Sequence, residues 1–204
     1  MPSRSFLSVT QGSGTKMGTA TYTDGADTKH DEVVVFGEQH LAAYVAVSTS
    51  VSCATSTSHL IQVMAGASLH LYIRRIWIYQ SALITTAAIV PFTCQRLTTA
   101  GTGGTTVTPQ PLDTGDTVGA TSMTLPTAKG TEGTTMGPVV DVVPVQTAPT
   151  GGANLLLAYW DWTTTRSKAL RIPAGTANGL MVSNRAAAAG LSVHVGVEFS
   201  EAPY

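Results

Sequence analysis

The stretch Leu69–Gln80, LHLYIRRIWIYQ, decides the fold class of this chain. Its large apolar residues alternate with other residues, as in a β-strand whose side chains point to opposite faces of a sheet. The apolar positions are odd-numbered up to Ile73 and even-numbered from Ile76 onward, so the alternation changes phase at Arg74-Arg75. A phase change requires one extra residue, and the stretch therefore predicts a strand with a β-bulge at the arginine pair.

The most regular alternation lies near the end of the chain, at residues 191–199. Apolar residues face inward there, and Ser192, His194 and Glu198 face outward. Shorter strands are predicted at residues 33–36, 41–49, 84–97, 155–162, 169–172 and 180–183. Short strands separated by turn sequences, without a helical period, predict an all-β protein with a jelly-roll-like antiparallel sandwich.

Two polar segments stand apart from these strands. Residues 1–31 contain few bulky apolar side chains and much Gly, Thr, Ser and Asp, which predicts an extended N-terminal arm. Residues 32–204 then form a single β-sandwich domain. Within it, residues 98–153 form a long excursion rich in Thr, Gly and Pro. A structureless loop of this length is improbable in a compact domain, so the excursion is expected to pack on the sheet or on a neighbouring subunit.

The composition excludes several classes of protein. Charged residues make up 11% of the 204 residues, compared with about 25% in an average soluble domain. The formal net charge of -1, without clusters of Lys and Arg, argues against nucleic-acid binding. A hydrophobic content of 43% argues against disorder, and no apolar run reaches the roughly 18 residues of a membrane span.

The two cysteines, Cys53 and Cys94, are predicted to be reduced, buried thiols. They lack the C-x-x-C spacing of a redox or metal site. The N-terminal residues 1–6 contain one arginine and no apolar core, unlike a secretory signal. The chain is therefore expected to be made in a cytoplasm.

The usual signatures of catalysis and of cofactor binding are missing from the sequence. There is no G-x-S-x-G nucleophile motif, and the glycines of residues 101–104 lack the Lys-Ser/Thr of a phosphate-binding loop. Residues 113–116, DTGD, are typical of an Asx-turn and lack the full calcium-loop pattern. The histidines are scattered singly, at His30, His40, His59, His70 and His194. No catalytic, cofactor-binding or metal-ligating residue is predicted, and no cofactor.

Two residue groups keep other functions open. The first is Trp160-Asp161-Trp162 with Tyr159, which suits a surface where sugars stack; in the competing interpretation one tryptophan fills the core and the other an interface. The second is a set of acids in or beside predicted strands: Glu38, Asp141, Asp161 and Glu198. Two such carboxyl groups about 5 to 9.5 Å apart would suit a glycosidase. His70 and His194 occupy outward strand positions and are expected to be solvated or at an interface.

Two segments of the chain resemble a known class of proteins. The first is RLTTAGTGGT at residues 96–105, continuing through Thr108-Pro109, Leu112-Asp113, Ala120-Thr121 and residues 125–127. The second is LRIPAG at residues 170–175, followed by Gly179-Leu180 and LSVHVGVEFSE at residues 191–201. Together they resemble the small jelly-roll-like virion proteins of tailed bacteriophages and prophages, over roughly residues 69 to 201. The resemblance implies a head decoration protein, an auxiliary capsid protein or a part of the tail, and it carries over no catalytic residue.

The sequence therefore predicts a non-enzymatic structural component of a phage virion, most directly a capsid decoration or auxiliary head protein. Its expected partners are itself, as a homo-oligomer and by analogy a trimer, and the major capsid or other virion proteins. Neither nucleic acid nor membrane is an expected partner. Loops of Thr, Gly, Ala and Pro with little charge suit surfaces that are covered on assembly. The alternatives are a carbohydrate-binding or host-recognition module of a tail or fibre, and a glycan-degrading enzyme on the same fold.

Overall fold

The structure is a computed structural model. It describes residues 5–9, 17–24, 27–32, 41–56, 58–82, 84, 88–117, 119, 121–145, 155–163 and 170–203. Regular structure in these ranges consists of β-strands, without a helix. The chain divides into two compact units, Met1–His40 and Leu41–Tyr204. The strand predicted at residues 33–36 lies outside the described residues, as do Glu38 and His40.

The N-terminal unit contains a three-stranded antiparallel sheet. Its strands are β1 (Ser5–Val9), β2 (Met17–Asp24) and β3 (Asp27–Glu32), with β2 in the middle. The segment expected as an extended arm thus pairs with itself. Threonine at alternate positions of β2 favours a strand, and Asp24 at its end pairs with Asp27 of β3.

The larger unit contains two antiparallel sheets that pack against each other. The strands are β4 (Ala43–Val47), β5 (Val51–Ser52), β6 (His59–Met64), β7 (Leu69–Gln80), β8 (Ala88–Thr99), β9 (Thr105–Val107), β10 (Gln110–Pro111), β11 (Ser122–Leu125), β12 (Thr131–Val145), β13 (Leu156–Asp161), β14 (Leu170–Ile172), β15 (Gly179–Asn184) and β16 (Ser192–Pro203). The front sheet has the order β10-β4-β16-β7-β13, with β14 pairing with β7 and β5 with β16. The back sheet has the order β12-β8-β15-β6-β11-β9.

The pairing of the long strands is nested. Strand β8 pairs with β12, β7 with β13, β6 with β15 and β4 with β16, so the chain behaves like one long hairpin. Successive pairs lie alternately in the back and the front sheet, which rolls the hairpin into a sandwich. This topology is that of a jelly roll, and the predicted all-β sandwich is confirmed.

The described residues of the excursion predicted at 98–153 begin at the end of β8 and continue to the end of β12. They contain β9, β10, β11 and β12, each paired with the sandwich or with a neighbour in the excursion. The Tyr44 hydroxyl donates to the carbonyl of Thr117 at 2.7 Å, and Glu201 accepts the Thr121 N–H at 2.8 Å. The described part of the excursion therefore packs on the sheets, one of the two predicted outcomes.

The predicted β-bulge lies at Arg74. Glu198 of β16 is opposite Arg75, and the next residue, Phe199, is opposite Ile73. Arg74 is the extra residue, which moves the apolar side chains of both halves of β7 to the inner face. Ile73 and Ile76 are both fully buried.

The core lies between the inner faces of the two sheets. The front sheet contributes Leu71, Ile73, Ile76, Ile78 and the apolar residues of β16, and the back sheet contributes Ile61, Val90, Phe92, Cys94 and Val182. The rings of Tyr44 and Phe199 stack in the core with their centroids 5.4 Å apart. The strand predicted at residues 41–49 is observed as β4. Positions 43, 45 and 47 lie on its outer face, since Tyr44 and Ala46 point into the core and Val47 is 51% exposed.

Cys53 and Cys94 are free and buried, as predicted. Burial raises the pKa of each thiol to about 12. Because the thiolate is the reactive form, we expect both thiols to react with a chromogenic disulfide reagent at least about a thousandfold more slowly than an ordinary cysteine at neutral pH. Denaturant should release two equivalents of fast-reacting thiol. Prompt labelling of either cysteine in the folded protein would contradict this assignment.

Candidate functional site

The outer face of the front sheet carries the largest concentration of aromatic and charged side chains among the described residues. Because the apolar residues of β7 and β16 point inward, the residues between them point outward. Strand register places these outward residues in three rows across β13, β7 and β16. The rows are Asp161–Arg75–Glu198, Tyr159–Trp77–Gly196 and Leu156–Tyr79–His194. We call these the charged row, the aromatic row and the third row, and together the open face.

The charged row is held together by ion pairs. Arg75 Nε lies 3.4 Å from Asp161 Oδ2, and Arg75 Nη1 lies 3.6 Å from Glu198 Oε2. The neighbouring Arg74 also reaches this row, with its Nε 3.7 Å from Glu198 Oε1. A bulge explains this, because both of its residues are opposite one residue of the partner strand. The two arginine side chains thus share a face, whereas the regular alternation of an unbulged strand would place them on opposite faces.

Asp161 is fixed in its orientation and its charge. Its Oδ1 accepts the Thr163 N–H at 2.7 Å and the Thr163 hydroxyl at 2.5 Å, and its Oδ2 accepts the Tyr159 hydroxyl at 2.9 Å. The hydrogen bonds from Thr163, with those from Tyr159 and the charge of Arg75, lower the pKa of Asp161 to about 2. The same interaction with Asp161 raises the pKa of Tyr159. Asp161 is therefore an anion at neutral pH.

The aromatic row is built around a glycine. A Cβ at Gly196 would clash with Cε2, Cζ2 and Nε1 of the Trp77 indole, so the indole lies over the Gly196 backbone. Glycine at this position gives the ring room to lie across the sheet. On the other side of Trp77, the Tyr159 side chain is 46% exposed. The row presents two aromatic rings side by side to solvent.

The third row and its neighbours form shallow depressions. A depression of about 270 Å³ is lined by Arg75, Trp77, Tyr79, Leu156, Tyr159 and Glu198. A second, of about 580 Å³, is lined by Val47, Ser48, Thr49, Tyr79 and His194. Tyr79, which is 38% exposed, lines both, so the two depressions adjoin along the open face.

The structure divides the predicted Tyr159–Trp162 group. Tyr159 and Asp161 lie on the open face, but Trp160 is 7% exposed and belongs to the core, and Trp162 is half-buried against the core. Trp160 is therefore excluded as a residue on which sugars stack. The interpretation in which one of the two tryptophans fills the core is confirmed. The sequence reasoning missed Trp77 and Tyr79. The signal was present, because the predicted bulge places both on the outward face.

Of the four acids considered for glycosidase chemistry, the structure brings two together. Asp161 and Glu198 flank Arg75 in the charged row. Asp141 lies in β12, and Glu38 is outside the described residues. A glycosidase needs one carboxyl group that stays protonated near neutral pH. The lowered pKa of Asp161 makes it unsuitable as that proton donor.

A second polar cluster lies on the back sheet and forms a chain of hydrogen bonds. The Gly101 N–H donates to Gln62 Oε1 at 2.7 Å, which makes Gln62 Nε2 the donor to His59 Nδ1 at 2.6 Å. His59 Nε2 then donates to Glu132 Oε1 at 3.2 Å. Arg185 binds both oxygens of Glu132, at 3.3 and 3.1 Å.

This chain ties the turn at residues 101–104 to the back sheet. Burial is the largest effect on His59 and lowers its pKa, so the imidazole is neutral. Burial also pushes the pKa of Glu132 upward, but the hydrogen bond from His59 and the charge of Arg185 outweigh it and keep the pKa below its ordinary value. Both ring nitrogens of His59 are occupied, which is the arrangement of a structural histidine.

His70 differs from its predicted outward position. It is 2% exposed, because β14 and the turn that follows it lie beside β7, and its Nδ1 accepts the Ala174 N–H at 2.9 Å. Burial and the charge of Arg171 lower its pKa.

His194 lies partly exposed on the open face, with Nδ1 3.0 Å from the Ser48 carbonyl. The predicted Asx-turn is present, since Asp113 Oδ1 accepts the Gly115 N–H at 2.9 Å.

Within the described ranges, no group of three or more His, Cys, Asp or Glu side chains is placed to hold a metal ion. No helix of these ranges is long and apolar enough to cross a membrane.

Comparison of the chain with models of protein families, with curated proteins and with solved structures gives no match. A functional argument therefore rests on the geometry of the chain itself.

We expect the stability of the protein to depend on the ionised form of Asp161. A carboxyl group whose pKa is lower in the folded than in the unfolded state stabilises the fold while it is ionised. This stabilisation is complete above the ordinary value of 3.8 and is lost as the pH falls toward about 2. The difference in urea midpoint between the native protein and Asp161→Asn should shrink over that interval. A constant difference down to about pH 2 would contradict the assignment.

We expect Gly196→Ala to displace the Trp77 indole. The added methyl group forces the ring away from the sheet, and such overpacking costs about 1–3 kcal/mol in the free energy of unfolding. Urea unfolding measures the cost, and the indole N–H resonance of Trp77 should move while those of Trp160 and Trp162 stay. Gly115→Ala is the control, because a Cβ there lies 3.4 Å from Asp113 Oδ1, an ordinary contact distance. Equal effects of the two variants would argue against the packing of Trp77 on Gly196.

Proposed function

We propose that this chain is a non-enzymatic structural component of a phage virion, a capsid decoration or auxiliary head protein that forms homo-oligomers and stabilises the shell. The virion role rests on the resemblance of the sequence, and the structural observation that supports self-association is the long edge strand β12, Thr131–Val145. It pairs with β8 and with no other strand that the structure describes. A strand of this length with one free edge is a template for pairing with another chain.

The sequence of β12 supports this role. Two of its fifteen residues, Glu132 and Asp141, are charged, and valine predominates after Pro138. Monomeric proteins protect an exposed edge with lysines, prolines, very short strands or bulges. Strand β12 has no lysine but has Pro138 and Pro144, and its register is irregular as far as Val140, after which residues 140–145 pair continuously with β8. Residues 140–143 of this continuous run, before Pro144, are the part best suited to pairing with a second copy in a symmetric oligomer.

The N-terminal sheet gives independent support. Three short strands with few bulky apolar residues in their sequence form a sheet near the lower limit for independent stability in water. Such a unit gains stability from a partner surface, and a neighbouring subunit or a capsid shell provides one. Threonine, aspartate and serine in this segment suit contacts that form on assembly.

The electrostatics favour a structural over an enzymatic role. The ionisable groups of the two polar clusters bind one another, and the lowered pKa values of Asp161, Glu132 and His59 hold each in the form that suits its partners. General acid–base catalysis needs a group whose pKa lies near the working pH. Low overall charge also reduces the cost of burying loops between subunits.

The oligomeric state tests the proposal. Sedimentation equilibrium of the full chain should give a closed oligomer, by analogy a trimer, and the protein should co-sediment with virus particles. Val142→Lys places a charge in the continuous run of β12 and should weaken self-association about tenfold or more. Leu112→Lys is the control, because it adds the same charge at an exposed position that follows β10, an edge strand of the front sheet. A stable monomer that associates with neither capsid nor tail would reject the proposal.

A further inference from the structure

The open face combines aromatic rings with a fixed row of charged groups. Neither the rings nor the charged groups pack in the core between the two sheets. We propose that this face binds a neutral oligosaccharide. The rings of Trp77, Tyr79 and Tyr159 stack on sugar rings, and the charged row binds sugar hydroxyl groups. This activity goes beyond the structural role, and it depends on the front sheet alone and not on the oligomeric state.

The aromatic rings are positioned before any ligand binds. Trp77 lies over Gly196, and the Tyr159 hydroxyl is bonded to Asp161 at 2.9 Å. Trp77 and Tyr159 are directly opposite each other on neighbouring strands, and Tyr79 follows two residues after Trp77 on the same face. Large rigid rings with a polar tip provide apolar contact area with little loss of conformational freedom. They match the C–H faces of pyranose rings.

The charged row supplies hydrogen-bonding groups along one side of the rings. Glu198 is an acceptor, and the guanidinium of Arg75, whose side chain is 43% exposed, is a planar donor. Asp161, whose oxygens already accept from Thr163 and Tyr159, holds Arg75 in place. A sugar hydroxyl group both donates and accepts, so neighbouring hydroxyls fit an alternation of carboxylate and guanidinium. The hydrogen bonds from Thr163 and Tyr159 fix Asp161, which lowers the cost of ordering it on binding.

The extent of the face indicates more than one sugar ring. The depression beside the charged row measures about 270 Å³, and the adjoining one beside His194 measures about 580 Å³. Tyr79 lines both. A chain of sugars lying along β7 would contact Trp77 and then Tyr79, with Tyr159 beside Trp77 on β13.

The charges of the row argue against the other polymers that stack on aromatic rings. Single-stranded nucleic acid needs a positively charged groove for its phosphates. Here both Arg74 and Arg75 are engaged by carboxylates. Those carboxylates would also repel an acidic polysaccharide.

The charged row also argues against a second protein copy as the occupant. The cores of protein interfaces are depleted in charged residues, because removing paired charges from water is costly. Sugar hydroxyl groups would instead form hydrogen bonds with Arg75 and Glu198, as water does at exposed charges. A hydrated, neutral, hydroxyl-rich ligand is the best match for this combination.

Calorimetric titration of the full chain tests the proposal. The probes are neutral hexasaccharides of glucose, mannose, xylose and N-acetylglucosamine, with an oligouronate and an oligothymidylate for comparison. At least one neutral hexasaccharide should bind with saturation, and the corresponding disaccharide should bind more weakly. Trp77→Ala and Tyr159→Ala should each weaken the binding about tenfold or more. Ile89→Ala removes an exposed apolar side chain from the back sheet and should leave the affinity unchanged.

Two further variants separate binding from folding. Trp77→Phe keeps a ring over Gly196 and should retain part of the affinity, and Tyr159→Phe keeps the ring but loses the bond to Asp161. Thermal unfolding of each variant shows whether the sandwich is intact. The proposal is overturned if no neutral hexasaccharide binds, if only the oligouronate or the oligothymidylate binds, or if folded Trp77→Ala binds like the native protein. A monomer that binds sugar would reject the proposed assembly and leave this inference standing.

Discussion

The single extra residue at Arg74 determines how the front sheet is used. Strand β7 is central in that sheet and pairs with β16, β13 and β14. In a β7 without the bulge, the side chains of Leu71 and Ile73 could still face the core. Ile76 and Ile78 would then point into solvent, and Trp77 and Tyr79 would point into the core. With it, both halves of β7 bury their aliphatic residues, and the aromatic residues are free on the outer face.

The same bulge creates the charged row. It turns Arg74 and Arg75 to one side of the sheet, opposite the single residue Glu198. Two adjacent guanidinium groups repel each other unless carboxylates lie between or beside them. Glu198 and Asp161, on the two strands that flank Arg75, meet this need. The charged row of the open face therefore depends on the same bulge that lets both halves of β7 bury their apolar side chains.

The sequence was sufficient for those parts of the fold that depend on alternation. The phase change in LHLYIRRIWIYQ locates the bulge, and the alternation at residues 191–199 gives the inward face of β16. The sequence was not sufficient where pairing with a distant segment outweighs the local preference of the residues. The first half of β12, residues 131–138, is rich in Thr and Gly and forms a strand because β8 offers a long partner, and His70 is buried because β14 returns beside β7. The pairing of distant segments also decides that Trp77, and not Trp160, is available on the surface.

The two layers of the sandwich can serve different contacts at the same time. Polar groups of the back-sheet cluster are occupied by one another, from Gly101 through Gln62 and His59 to Glu132 and Arg185. The free edge of β12 belongs to that sheet. The aromatic rings lie on the outer face of the front sheet, in the other layer. Strand β12 contacts β13 of the front sheet, but the open-face residues of β13 point away from the back sheet. A copy that pairs through the edge of β12 would extend the back sheet and leave the open face accessible, and a subunit attached to a shell in this way would present there the residues proposed to bind sugar.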